Sequence, residues 1–471
     1  MKGILLSCVV ALLFARVHGQ AFERLRDERD GREYKIVKIG NQWWMAENLN
    51  YYVKDGSLCY DHDEANAAIF GRLYDWNTAA NACPCGWHLP SHQEWRYLEM
   101  ELGFRQNEPP IGNNMYGHDE GGKLKEAGFA HWQEPNAGAS DATGFAALPG
   151  GHFAMNQFWA IHKAGHFWAG EKDPANAWYR SLTYNDPAIH IFYQEKSGGY
   201  KSVRCVKDSI DLSGDYMGQT KPGALPRPFG SGVISVFDSN EHTCSISPDG
   251  NEIFFTRDPD RKIFAVQFKN REWTKPQPAH WQGREAIFSP DGSKLLFGDG
   301  DIWLAKKEGG EWGVPQKFSP AINTESYEFY ASMTCDGTVY FSRLGNNHPA
   351  IFVSEFRDGR YRTAEKLPAP INSDSENNFH PFISPRGDYL LFNSDRAGGF
   401  GATDLYVSFK DARGHWEKPI NLGEKINSTV RDICPTLSPD GKYLFFTRNW
   451  EENGKWFGDI YWVTADFMKR K

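Results

Sequence analysis

Beyond its leader the chain has no apolar run of the roughly 20 residues that a membrane-spanning helix needs. It also has no Gly-x-Ser-x-Gly elbow, which removes the usual serine-hydrolase nucleophile. Glycine-rich phosphate loops are absent, so a nucleotide-hydrolysing site is not indicated. No two cysteine pairs have zinc spacing, and Cys83-Pro84-Cys85 is too tight for a Cys-x-x-Cys redox motif. Basic excess is missing as well. The net charge of −8 divides into +2 over residues 1–19, −6 over 20–208 and −4 over 209–471. Neither half is a polyanion-binding module, and nucleic acid is not an expected partner.

The first residues read differently from the rest. Lys2 precedes an apolar run from Ile4 to Phe14, followed by Ala15-Arg16-Val17-His18-Gly19. That pattern predicts a signal peptide over 1–19, cut after Gly19. Its apolar core is too short for a membrane anchor, and Cys8 lies too early for a lipoprotein cysteine. Export implies an oxidising compartment, where disulfides form. Of the eight cysteines, Cys59, Cys83, Cys85 and Cys205 lie in the N-terminal half, and disulfides are the expectation for these four. Cys83–Cys205 is the preferred bridge, because it ties the start of a helical region to a last strand. Cys59–Cys85 follows by elimination. Cys244, Cys335 and Cys434 are expected as separate buried thiols.

What the C-terminal half does have is a phrase written five times. Ser247-Pro248-Asp249-Gly250, Ser289-Pro290-Asp291-Gly292, Thr334-Cys335-Asp336-Gly337, Ser384-Pro385-Arg386-Gly387 and Ser438-Pro439-Asp440-Gly441 each precede an apolar aromatic strand. Their glycines are 42, 45, 50 and 54 residues apart. The phrase is a turn: Pro presets φ, Asp tolerates the next position and Gly accepts positive φ. A strand-built repeat of this length means blades around an axis. A third strand follows in each repeat, and a fourth carries Trp273, Trp312, Tyr361 or Trp416. The fifth repeat lacks a fourth strand, and Val233–Val236 is expected to supply it, closing the ring and removing an exposed edge. The reading is five blades, with six open if one has diverged.

The repeats resemble the WD-like propeller repeats of TolB-type envelope proteins, most closely from Phe392 through Asp404-Leu405-Tyr406 and Trp416 to Ile426-Asn427. That resemblance implies a protein- or glycan-binding platform. The N-terminal half has no repeat. Its run Gly71-Arg72-Leu73-Tyr74-Asp75-Trp76, Gly86-Trp87-His88-Leu89-Pro90-Ser91, Glu94-Trp95, Ala147-Leu148-Pro149-Gly150-Gly151 and Val203-Arg204-Cys205-Val206-Lys207-Asp208 resembles the Fibrobacter succinogenes major paralogous domain. The resemblance implies an exported bacterial protein and a C-type-lectin-like α+β fold, with no established activity. Ser91 with Glu94 predicts a capped helix whose Trp95 and Leu98 face inward, and Gly- and aromatic-rich loops are expected over 128–200.

Four motifs in this half have a chemical reading. Glu134-Pro135-Asn136 looks like the calcium-and-sugar tripeptide of C-type lectins, but lacks a nearby carboxylate set for the oxygens calcium needs. His152, His162 and His166 lie close in sequence, and His162-x-x-x-His166 has a metal-like spacing without an evident helix. His88 reads as a satisfied buried histidine. Similarity to formylglycine-generating enzymes would demand a second cysteine beside Cys205, which is missing.

The chain is therefore read as multidomain: a signal peptide at 1–19, a C-type-lectin-like α+β domain at 20–208, a Gly- and Pro-bearing linker at 209–228, and an all-β propeller at 229–471. The expected function is secreted, non-enzymatic binding of a polysaccharide or envelope protein at the exterior or periplasm of a Gram-negative-type bacterium. Polysaccharide cleavage by channel carboxylates, or a purely structural envelope module, are the alternatives. No catalytic residue, metal or cofactor is assigned, and no membrane insertion is expected after signal cleavage. Ligand contacts are expected on the loops entering the inner strands, at Asn323, Glu328, Asn372, Asn378, Asn427 and Asp432.

Overall fold

A computed structural model describes residues 23–104, 115–210, 212–236, 239–345, 348–373, 375–452 and 454–468. The expected signal peptide lies outside them. No helix among the described residues is long and apolar enough to cross a membrane.

The N-terminal half holds two sheets. One runs Glu23–Arg26, Glu33–Ile39, Gln42–Met45, Val206–Lys207, Trp87–His88, so the last strand of the half lies inside its first sheet. The other is built from Met115–Tyr116, Ile189–Glu195, Asn176–Thr183, Ala164–Glu171, Gly150–Ala154 and Gln157–Ile161. Loops were expected over 128–200, yet 150–195 is largely strand. The aromatic and β-branched residues there alternate between faces, and alternation outweighs the glycines. Helix His92–Glu101 starts at the Ser91/Glu94 capping box, and Trp95 and Leu98 are fully buried. Trp95 packs with Trp44, Phe145 and Phe167 in one aromatic core. Buried Glu99 accepts from Arg180 Nε at 2.5 Å and Arg96 Nη1 at 2.8 Å, which compensates a carboxylate that burial alone would make costly.

Cys83 and Cys205 form a disulfide. Cys59 and Cys85 do not. Buried Cys59 instead lies against Arg72 Nη1 and Glu64 Oε1, at 3.2 and 3.1 Å, while Cys85 is exposed. Elimination failed because a thiol in this half can be satisfied by an ion pair. Cys244 and Cys434 are buried as expected, but Cys335 sits exposed in its turn.

The C-terminal half is a β-propeller of five successive antiparallel units. Their inner strands are Asn240–Ile246, Arg284–Phe288, Glu328–Met333, Asn378–Ile383 and Arg431–Leu437. Each inner strand neighbours the next, and Arg431–Leu437 returns to Asn240–Ile246. The turn phrase joins inner to second strand in every unit, with its glycine at φ between 68° and 91°. Asp249 shows why the turn holds. Its Oδ1 accepts from Ser247 Oγ at 2.6 Å and from Asn251 N at 3.1 Å. The aromatics Trp273, Trp312 and Tyr361 lie on two-residue arms rather than on the fourth strand. The strand that pairs the middle of the third strand begins four residues later, at Gln277, Gln316, Glu365 and Ile420.

The fifth unit is completed from the other end of the half, but not by Val233–Val236. Arg227–Pro228 pairs with Tyr461 and Trp462, and Phe229 N continues the contact to Ile460 O. Residues 231–235 are a turn. A proline can sit here because an outermost strand needs no second row of donors. The inside of the same seam is closed by a long hairpin, Tyr443–Glu452 and Lys455–Thr464, whose Asn449 Nδ2 reaches Asn240 Oδ1 at 3.1 Å. Residues 212–229 also pack on this seam. Met217 and Phe229 are buried in its core, and Tyr216 lies against Tyr443 and Trp462.

Candidate functional site

The loops entering the inner strands hold buried braces. Asn323, Asn372 and Asn427 each accept from the backbone N of a third-strand residue and donate to its carbonyl: Ile302, Ile351 and Leu405 respectively. Glu328 pairs with Arg343 at 2.7 Å and Asp432 with Arg448 at 2.8 Å. Asn378 accepts from Arg396 at 2.7 Å. The three arginines then donate to the carbonyls of Ile322, Ile426 and Ile371. Glu241 and Arg257 repeat the device in the first unit, ending on Ile234 O. Each arginine also lies over a third-strand ring, Phe264, Phe352, Tyr406 or Tyr461. The six residues expected to meet ligand are thus buried latch and brace residues, with no part in the lining of the large cavity described next.

Every inner strand breaks its ladder, two positions beyond the latch in the four units that have one. The register shifts between His242 and Cys244, Arg284 and Ile287, Phe329 and Ala331, Phe379 and Phe382, and Ile433 and Thr436. The bulged residues are Thr243, Glu285, Tyr330, His380 and Cys434, at φ of 58°, 61°, 48°, 55° and 56°. Left-handed backbone is costly for side chains of this size, and such strain collects at functional sites. Four of the freed N–H groups are satisfied by the preceding unit: Thr243 by Thr447 Oγ1, Glu285 by Thr256 Oγ1, His380 by Ser342 Oγ and Cys434 by Asn393 Oδ1. The bulges turn the preceding residues, His242, Arg284, Phe329, Phe379 and Ile433, into one cavity of about 900 Å³. The far end of the channel, among the turn prolines, has a cavity of only about 180 Å³.

The cavity lining is mixed. Phe329, Phe379, Ile433, Leu344, Pro349 and Trp456 supply its apolar part. In its polar part Arg284 donates to Asp258, which also faces His242 at 3.3 Å. Arg261 is paired with Asp299 at 2.9 Å, and Tyr327 donates to the same carboxylate. Among the lining side chains Arg261, Arg284, Arg431 and Lys455 outnumber the carboxylates Asp258 and Glu285. Arg261 and Arg284 are paired with Asp299 and Asp258, and Arg431 and Lys455 add positive charge to the lining.

At the floor Glu285 Oε1 meets His380 Nε2 at 3.4 Å. Cys434 Sγ lies within 4.8 Å of donor atoms of His242 and Glu285. Although burial opposes charge on these rings, Asp258 and Cys434 push His242 up to about 9. Cys434 and Glu285 push His380 up to about 10 against the same opposition. Burial raises the Cys434 thiol, but the two imidazoles overcome it and bring the group down to about 7. Both lining carboxylates, Asp258 and Glu285, lie below the usual range, because their histidine partners outweigh burial.

The expected residues Glu328, Asn378 and Asp432 lie two positions before the bulges of the third, fourth and fifth units, and none was expected in the first two. The available signal was the residue after the second-strand aromatic, Thr256, Ser342, Asn393 and Thr447, since a buried hydroxyl or amide there implies a freed N–H opposite.

The N-terminal motifs give no comparable convergence. Asn136 is buried, with its amide donated to Glu126 O and Gly128 O, while Glu134 is exposed. His152 and His166 contact one another, but exposed His162 turns to His131 O. His88 is half-exposed, not buried, and lies between Glu94 at 2.8 Å and Asp208 at 2.7 Å.

Residues 37–207 match the Fibrobacter succinogenes major domain. No protein of curated function matches the chain by sequence. Solved structures similar to it include a putative TolB from Agrobacterium tumefaciens, 16% identical, covering 49% of this chain and 92% of that one, with a TM-score of 0.34. TolB from Acinetobacter baumannii is 13% identical over 65% of this chain and 83% of its own, with a TM-score of 0.33. A thermostable family-43 glycoside hydrolase is 14% identical over 48% and 94%, with a TM-score of 0.32.

Proposed function

We propose that this chain is an exported, non-enzymatic binding protein that takes an acidic carbohydrate into the mouth of a five-bladed propeller. The five units are read as the blades, and residues 20–208 as a C-type-lectin-like domain carried beside them, with 209–228 joining the two. The observation that carries the reading is the ring of five bulges, which brings His242, Arg284, Phe329, Phe379 and Ile433 to one cavity of about 900 Å³. A concave site of this size, largely apolar with a few convergent polar groups, suits a small ligand or chain end better than a flat protein surface. The aromatic part of the lining offers stacking faces for sugar rings. The excess of arginine and lysine over carboxylate favours a ligand bearing carboxylates, such as a uronic acid, and draws it toward the mouth.

Glycoside cleavage is the less supported reading. It needs one carboxyl group held protonated as the acid, whereas Asp258 and Glu285 are both shifted toward the ionised form. Export is supported by the leader composition and by the Cys83–Cys205 bridge, which belongs to an oxidising compartment. The test is an array of neutral and uronic-acid-bearing glycans probed with the full chain. Acidic hits are expected, and their absence beside a clean neutral hit would refute the charge argument.

A further inference from the structure

Below the cavity lies a group of side chains that ligand binding alone does not require. His242, Glu285 and Cys434 each offer a donor atom, all within 4.8 Å of one another and all buried. His380 joins them through Glu285, its Nε2 lying 3.4 Å from Oε1. The four residues come from four different units, and three of them are the strained bulge residues. We propose that His242, Glu285, His380 and Cys434 bind one divalent transition-metal ion of the zinc class at the channel floor.

The donor set carries the choice of metal. One thiolate, two imidazoles and one carboxylate are the ligand types of tetrahedral zinc, and the thiolate disfavours calcium and magnesium. Metal-to-donor lengths of about 2.0–2.3 Å would draw the present atoms together by about an ångström.

The outer contacts fit as well. Metal-binding histidines present one nitrogen to the ion while the other is held by a carboxylate, carbonyl or similar acceptor. His380 Nδ1 is held by Asn393 Oδ1 at 2.8 Å, which leaves Nε2 facing Glu285. His242 Nε2 is held by Asp258 Oδ2 at 3.3 Å, which leaves Nδ1 for the ion. Asn393 is fully buried and also accepts from Cys434 N, so one amide fixes two of the four ligands.

A thiolate nucleophile is the rival use of the same atoms. Cys434 is 1% exposed and does not line the cavity, whereas His242, Glu285 and His380 do. A substrate would therefore meet the histidines and the glutamate before it met the sulfur. An ion held from beneath by Cys434 would face the cavity on its other side, where a ligand carboxylate would bind it by expanding four-coordination to five. This last role rests on the binding reading above. Metal binding itself does not, and it is measured with no glycan present.

The experiment uses the full-length chain, stripped with chelator and titrated separately with zinc and cobalt(II). One equivalent should bind, and cobalt should give thiolate-to-metal charge-transfer absorption. Cys434→Ser should abolish that absorption, while Cys244→Ser, another buried thiol, should leave it. Asn393→Ala keeps all four donors and should weaken zinc about 10–100-fold. X-ray absorption of the zinc-loaded unmutated protein needs no variant to fold, and should give a shell of one sulfur with two imidazoles. Sub-stoichiometric binding, a shell without sulfur, or affinity unchanged in Cys434→Ser would each overturn the proposal. Glycan binding with no metal uptake would overturn it while leaving the binding reading intact.

Discussion

Replacing Asp432 by alanine separates a structural latch from a ligand contact. The carboxylate accepts from Arg448 Nε at 2.8 Å, from Ser428 N at 2.5 Å and from Ser428 Oγ at 2.8 Å. Both charged side chains are under a tenth exposed. Removing one partner of such a pair leaves an uncompensated buried charge, which costs about 3–5 kcal/mol. In a domain of this size 1 kcal/mol shifts Tm by about 2–4 °C, so the propeller transition should fall by about 6–20 °C. Differential scanning calorimetry reads this directly. The double variant Asp432→Ala/Arg448→Met also removes the stranded charge, and should be more stable than the single variant. A single-variant shift below about 2 °C, or a double variant less stable than the single one, would refute the latch. Loss of glycan binding at unchanged stability would return Asp432 to the site.

The Cys83–Cys205 bridge closes a 122-residue separation, worth up to about 5 kcal/mol by chain entropy; a reductant should lower the denaturant midpoint of the N-terminal half, and an unchanged midpoint would contradict this. His88 is pushed up to about 9 by Glu94 and Asp208, against burial. A raised histidine contributes stability that is complete below about 6.5 and lost as pH rises through about 9. For this half-exposed ring the loss should be about 1 kcal/mol after solvent screening, absent in His88→Gln, and an NMR titration with the ring near 6.5 would contradict the shift. Glu101, at the end of the His92–Glu101 helix, accepts from Arg227 Nη2 at 3.2 Å and Ser231 Oγ at 2.7 Å. Glu101→Ala should destabilise the junction between the halves by about 2 kcal/mol, seen as separation of two calorimetric transitions, whereas a single unshifted transition would count against the contact.

The repeat was legible because its turn chemistry is local. Pro, Asp and Gly each serve the φ of their own position, so five turns and the strands after them could be read directly. The capped helix at Ser91 and the Cys83–Cys205 pair followed from similarly strong signals. Closure was legible in kind but misplaced. Apolar Val233–Val236 looked more strand-like than Arg227–Pro228, and an outermost strand needs little of what makes a strand recognisable. The cavity was not legible, for a deeper reason. Polar residues on the Ile-Asn loops invited a surface reading, yet each is buried and paired with an arginine or backbone group distant in sequence. The bulged residues themselves carry no compositional mark, because Thr243, Glu285, Tyr330, His380 and Cys434 share a backbone conformation and not a chemistry; the mark lies opposite them, at Thr256, Ser342, Asn393 and Thr447.

The most direct test of the binding reading is the affinity of the full chain for an acidic oligosaccharide, measured by titration calorimetry. Trp456 and Lys455 lie on the long hairpin at the mouth, and Trp456 is 40% exposed, so its loss should not unfold the chain. Trp456→Ala with Lys455→Ala should weaken binding at least tenfold, about 1.4 kcal/mol. Trp159→Ala, a similarly exposed tryptophan in the N-terminal half, should leave binding unchanged. Undiminished affinity in the hairpin variant, or loss in the Trp159 variant instead, would place the ligand outside the channel and contradict the account.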